Sequence, residues 1–191
     1  MHFPSVRASA EAVLRLHPDL ILAAPYGAQS ALAVLEQEHV SVLRISLPQD
    51  LAGIRRMTQQ VAQALDEASR GEALLARMDT DLAELPHVER QIRALVWEPR
   101  GFTAGPGTLM DTLLRAAGLS NASDGRPVGL EALLRNPPDL LVMPTVRAYP
   151  SLATTMLQHP ALAGIPQRTI PPALTICAGP FSAEAAALLA R

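Results

Sequence analysis

Lysine is absent from this chain. All 16 basic residues are arginine, set against 18 acidic ones for a net charge of −2. No basic run breaks that balance, so the charge footprint that grips nucleic-acid phosphates is missing and nucleic acid is excluded as a partner. Aromatic residues make up only 3% of the sequence, which leaves the core to Leu, Ala, Ile and Val. The single cysteine, Cys177, cannot close an internal disulfide. No apolar run approaches the ~18 residues of a membrane span. The opening MHFPSVRAS lacks the charged-then-apolar pattern of an export signal. No Gly-x-Ser-x-Gly motif occurs, and no histidine stands near Cys177 in sequence. His2, His17, His39, His87 and His159 are scattered without metal-ligand spacing. Neither catalysis nor a resident metal or cofactor is expected.

The chain has enough apolar residues to fold, 49% of 191, for one domain or two small ones. Residues 66–85 read as one helix, roughly 30 Å long, with Leu75, Met78, Leu82 and Leu85 on its apolar stripe. Asp66 is its expected N-cap and Pro86 its stop. On either side the same phrase occurs. Residues 11–24 read EAVLRLHPDLILAA, and residues 131–143 read EALLRNPPDLLVM, at an offset of 120. This pattern predicts two similar lobes joined by one helix, with residues 1–65 as an N-terminal lobe, 66–86 as the bridge and 87–191 as a C-terminal lobe. A single α/β domain with a chance echo is the alternative.

Helices are expected at 9–16, 28–38, 50–65, 108–117, 129–135, 151–158 and 182–190. Strands are expected at 20–24, 40–45, 92–97, 140–143 and 168–170, with 121–127 irregular. Continuous apolar runs such as LILAA mark strands buried on both faces, and the alternation with helices predicts parallel sheets. In such sheets ligands sit beyond the carboxyl ends of the strands. Three loops occupy that position: Pro25–Gly27, then 98–107, then 144–149. The middle loop, EPRGFTAGPG, lacks a P-loop ending and fails G-x-G-x-x-G at Met110. A tight turn into a helix capped by Thr108 and Asp111 explains it, though its amides also suit an anion. Glu98 beside Arg100 reads as a loop ion pair, a ligand contact or an acid–base pair. Trp97 reads as a cleft aromatic or as sheet core, and Phe102 as a cleft aromatic or a loop staple. Tyr149 is placed near the same cleft. Glu11 and Glu131 hold equivalent places in the two phrases, in first helical turns that favour a carboxylate; the functional reading is a two-point docking surface for a basic partner.

The ordered set is familiar. It runs helix–Pro-Asp-Leu–apolar strand, long helix, strand–G-F-T-A-G-x-G-T–helix–A-G-L-x-N, and a second E-x-L-L-x-x-x-P-D-L. From Ser9 to the last helix it resembles the periplasmic substrate-binding proteins of iron-siderophore, haem and cobalamin ABC importers, the cobalamin-binding member being a close pattern match. The resemblance implies two α/β lobes with mostly parallel sheets on one rigid helix, with the small-molecule ligand in the cleft between them. It implies a monomer that is periplasmic, not an enzyme, and delivers to an ABC importer permease in the inner membrane. Glu11 and Glu131 match the lobe glutamates that meet permease arginines. Residues 24–27, with Pro25, Tyr26 and Gly27, match one cleft loop; Trp97, Gly101, Phe102 and Thr103 match the other. Gly179 and Pro180 match the turn before the last helix, where Phe181 stands in place of a frequent Arg. Arg100 and Arg147, with Tyr149, are added from loop position and residue type. The family opens with a signal peptide and a first strand–helix segment. This chain begins after both, so an incomplete N-terminal lobe is expected, and a cytoplasmic location if the sequence is complete. A cytosolic interaction module and a small α/β enzyme using Glu98 and Arg100 on an anionic substrate are the alternatives.

Overall fold

The computed structural model describes residues 9–86, 91–145 and 152–191. The chain forms two compact units, one up to Leu47 and one from Pro48.

In the first unit, Ser9 caps α1 (Ala10–Leu14) by accepting the Ala12 amide, as its position before an apolar run predicts. His17 turns the chain at a φ of 47°, Pro18 follows, and β1 (Leu20–Ala23) begins. Helix α2 (Gln29–Gln37) leads to β2 (Ser41–Arg44), which pairs with β1 in parallel, Leu20 opposite Ser41. Leu32 and Leu35 of α2 bury Ala23, with Val13, Leu14, Ile21 and Val42 packed around them.

The second unit starts with Asp50, whose carboxylate accepts the Gly53 amide and caps α3 (Leu51–Ala64). Helix α4 (Ala68–Ala83) follows and packs along it. The expected cap at Asp66 is not formed. The reversal after α3 needs a left-handed residue, and Asp66 supplies it at a φ of 54° while Glu67 takes the cap position. Gly71 lets the helices close up: a Cβ there would lie 2.5 Å from that of Ala62.

Four parallel strands form the sheet, in the order β4 (Leu119–Asn121), β3 (Ile92–Val96), β5 (Leu140–Pro144) and β6 (Gln167–Ile170). Strand β4 was not expected: it falls between the helix expected to 117 and the stretch 121–127 read as irregular, sharing only Asn121 with the latter, since three residues with Ser and Asn among them show neither length nor periodicity. The helices of this unit also include α5 (Leu109–Ala116), α6 (Leu130–Arg135), α7 (Leu152–Thr155) and α8 (Ser182–Ala190). Period-two alternation sends Ala94, Val96, Leu140 and Val142 into one core with α4, α5 and α8. Leu95, Trp97, Leu141 and Met143 go into a second core with Leu133, Leu157 and Leu162. The central strands are thus buried on both faces, as their apolar runs predict. No helix among the described residues is long and apolar enough to cross a membrane.

Candidate functional site

In the first unit the loop after β1 carries Pro25, Tyr26 and Gly27. Gly27 and Ala28 both have positive φ, 80° and 50°. Gln29 Nε2 donates to the carbonyls of Pro25 (3.2 Å) and Gly27 (3.3 Å), which holds the turn. Tyr26 is 77% exposed. Glu11 is exposed in the first turn of α1.

In the second unit a hollow of about 270 Å³ opens at the carboxyl ends of β3, β5 and β6. Its walls are Val96, Val142, Met143, Pro144 and Ile170 from the strands, Met110 from α5, and Pro172, Thr175 and Ile176 from the segment before α8. Glu98 and Pro99 contribute from the glycine-rich loop, and Glu98 is the one ionisable residue in this lining. Sequence reasoning missed the two methionines, Ile170, Pro172, Thr175 and Ile176. They come from four separate segments that only strand register brings together, and no local motif announces them.

The loop itself is tightly built. Gly101 N donates to Glu98 O (3.0 Å) and Glu98 N to Phe102 O (2.8 Å). Arg100 is forced to a φ of 65° and Gly101 to 78°. A positive φ at arginine is strained, and the arrangement turns the guanidinium outward. Among the described residues no carboxylate pairs with Arg100, so of the three readings of Glu98 beside Arg100 the loop ion pair is not made. Phe102 is 53% exposed beside it.

Trp97 departs from the cleft-aromatic expectation. Its ring has 0% exposure, and its indole N–H donates to Val128 O at 2.8 Å. The reason is the strand alternation: residue 97 shares the face of Leu95 and so enters the second core. Gly101 and Gly179 are buried, while Thr103 and Pro180 are half-buried. Gly101 serves as backbone clearance, since a Cβ on it would meet Val128 O at 2.5 Å. Gly179 donates its amide to Ser182 Oγ (3.3 Å) ahead of α8. Glu131 is exposed in the first turn of α6. Arg147 and Tyr149 lie outside the described residues.

Behind the loop, Thr108 caps α5 by accepting the Asp111 amide (3.3 Å). The Thr108 half of the expected capping pair is therefore present, while the Asp111 carboxylate accepts from Gly107 N (3.1 Å), one residue before the cap, and also from Asn121 Nδ2 (3.0 Å) and Arg115 Nε (3.1 Å). Burial alone would raise the Asp111 pKa. The hydrogen bonds from Asn121, Gly107 and Arg115 outweigh it, and the carboxyl is held below its ordinary value. Among the described residues no group of three or more His, Cys, Asp or Glu side chains could hold a metal ion.

The chain is similar to a set of solved structures. One is the periplasmic haem-binding protein BhuT, solved with two haems, at 26% identity over 96% of this chain and 77% of that one, with a TM-score of 0.74. A periplasmic haem-binding protein from Pseudomonas aeruginosa is 25% identical over 95% of this chain and 74% of its own, TM-score 0.71. HutB of Vibrio cholerae, a periplasmic haem-binding protein, shares the fold at 20% identity, covering 93% and 77%, TM-score 0.78. No curated protein matches. The α/β architecture with parallel sheets is that of the helical-backbone periplasmic binding proteins. The periplasmic binding protein family model matches residues 5–166, most of the sequence, and the chain belongs to that family.

Proposed function

We propose that this chain binds haem or another iron complex and delivers it to the permease of an ABC importer. The observation that carries this reading is the hollow at the strand ends of the second unit. Apolar residues and two methionines line it, and Phe102 is exposed on the adjoining loop. Such a surface suits a flat, largely apolar ligand held by contact area with few polar anchors. Methionine adapts its shape to irregular ligand surfaces. Arg100 serves the ligand's anionic substituents, because its guanidinium is exposed and no described carboxylate neutralises it. Glu11 and Glu131, each exposed in the first turn of its helix, dock on permease arginines on the periplasmic side of the membrane.

Titration with ferric haem, ferric hydroxamates and cobalamin, followed by ligand absorbance, tests the reading. Saturable binding of haem or a ferric hydroxamate at micromolar concentration or tighter, weakened by Ile176→Asp, is the expected result, and binding of cobalamin alone overturns iron as the cargo. Absence of saturable binding by every member of that panel overturns it. Delivery is tested with the permease and ATPase in liposomes, where Glu11→Ala with Glu131→Ala abolishes stimulation of ATP hydrolysis and leaves ligand affinity unchanged.

A further inference from the structure

The glycine-rich loop is held from behind by a hydrogen-bonded network centred on Asn121, the last residue of β4. Its Nδ2 donates to Ala104 O (3.0 Å) and to Asp111 Oδ1 (3.0 Å), and its Oδ1 accepts from Ser123 N (3.0 Å). One amide group therefore ties the loop, the start of α5 and the chain leaving β4 together, with both N–H groups and the oxygen in use. A second chain of bonds runs alongside. Gly125 N donates to Ser123 Oγ (2.9 Å), Ser123 Oγ lies 2.6 Å from Thr103 Oγ1, and Thr103 Oγ1 donates to Arg126 O (2.8 Å). Two close approaches complete the seam. A Cβ on Gly105 would stand 2.7 Å from Gly125 Cα, and Val128 N donates to Gly101 O (2.8 Å). Asp111 and Ser123 are buried, and no buried side-chain N or O atom among the described residues is unsatisfied. A fully satisfied buried network rigidifies what it touches.

We propose that Asn121 is the positioning residue of the ligand loop. It holds residues 98–107 in their binding geometry before any ligand arrives, so that Glu98, Pro99, Arg100 and Phe102 are presented without an ordering step. This rests on the proposed function for its consequence, while the hold itself is a property of the free protein. A loop that must be ordered on binding is competent only for a fraction of the time, and apparent affinity falls by that fraction.

The test is Asn121→Asp, which keeps size and shape but places a second carboxylate against Asp111 and removes both donors. Three quantities are measured on the whole chain: amide hydrogen exchange across residues 101–107 without ligand, the dissociation constant and association rate for ferric haem, and the thermal midpoint. Ile54→Val, a core trim in α3, serves as a control for general loss of stability, and Asn121→Ser replaces Asn121→Asp should the latter not fold. Faster exchange confined to the loop and the 121–126 segment is expected, with a roughly tenfold weaker apparent affinity carried mainly by slower association. Unchanged exchange in the loop, or an affinity loss no larger than that of the control, overturns the proposal. Wild-type protein that does not bind haem defeats haem as the ligand, and the exchange comparison still decides whether Asn121 holds the loop.

Discussion

Gly71→Ala sets two well-understood effects against each other, and the geometry decides the sign. Alanine in a helix interior is favoured over glycine by about 1 kcal/mol, and part of that applies at position 71, one turn into α4. In most helices the substitution therefore stabilises. Here the added Cβ would lie 2.5 Å from Ala62 Cβ, well inside contact distance, with Thr58 O at 3.8 Å on the same side. Neither obstacle is a flexible side-chain end that can swing away. Relief requires α4 to move off α3, which disturbs the packing of Leu75 and Met78 with Ile54 in the larger core. Overpacking of this kind costs about 1–3 kcal/mol, so a net loss of about 1 kcal/mol is expected. For a chain of this size that lowers the thermal midpoint by about 2–4 °C in calorimetry. The companion experiment is the same substitution in an Ala62→Gly background. There the obstructing methyl is gone, and Gly71→Ala should raise the midpoint. A rise in the wild-type background, or the same sign in both, would refute the close approach of the two helices.

Other substitutions report on the site. Trp97→Phe leaves Val128 O without its donor and a gap beside the second core, so urea unfolding should show a loss of about 1–3 kcal/mol. The lone tryptophan of the native protein should emit at short wavelength, shifting red only on unfolding. Gly101→Ala forces a methyl onto Val128 O at a φ of 78°, and a loss above about 2 kcal/mol with weakened ligand binding is expected. Asp111 has a depressed pKa, so its contribution is present above its unfolded value and is lost as pH falls through the folded one. Urea midpoints of wild type and Asp111→Asn should differ at neutral pH and converge in acid, once the pH has dropped below the depressed pKa of the folded protein.

The sequence carried the fold where a single local signal was enough. LILAA and LLVM both form strands, but only LLVM is covered on both faces; Leu22 of LILAA is 47% exposed, because the two-stranded sheet has α1 and α2 packed on it and nothing described over Leu22. Ser9 and Thr108 stand where caps must stand, and each accepts the amide expected of it. Asp66 shows the limit of that logic, because an aspartate after a helix serves a left-handed turn as readily as a cap. Trp97 was decidable from alternation alone: counting from Leu95 puts it on the face of the second core. Residue type alone leaves it open between sheet core and cleft aromatic, and the match to the family's cleft loop favours the cleft. The hollow was illegible for a different reason. Met110, Met143, Ile170 and Ile176 are ordinary apolar residues, and their meeting depends on parallel register and helix packing across some sixty residues. Asp111 was legible as a helix-cap partner and Asn121 only as the end of A-G-L-x-N; that the Asn121 amide would bond both Ala104 O in the loop and the Asp111 carboxylate depends on strand pairing that no local pattern shows.

Three of the residues that line the hollow are prolines: Pro99, Pro144 and Pro172. Proline has no N–H, so these walls offer carbonyls and methylenes where a phosphate-binding loop would offer amides. Thr175 is the one side-chain hydroxyl in the lining. A sulfate, a nucleotide or a sugar brought here would shed water and find almost no donor to replace it, a loss that van der Waals packing against the walls does not offset. The hollow thus selects by refusal. On the proposed function, what enters presents a hydrocarbon or aromatic edge and its anionic appendages remain outside, in reach of water, since the one charged group in the lining is the Glu98 carboxylate.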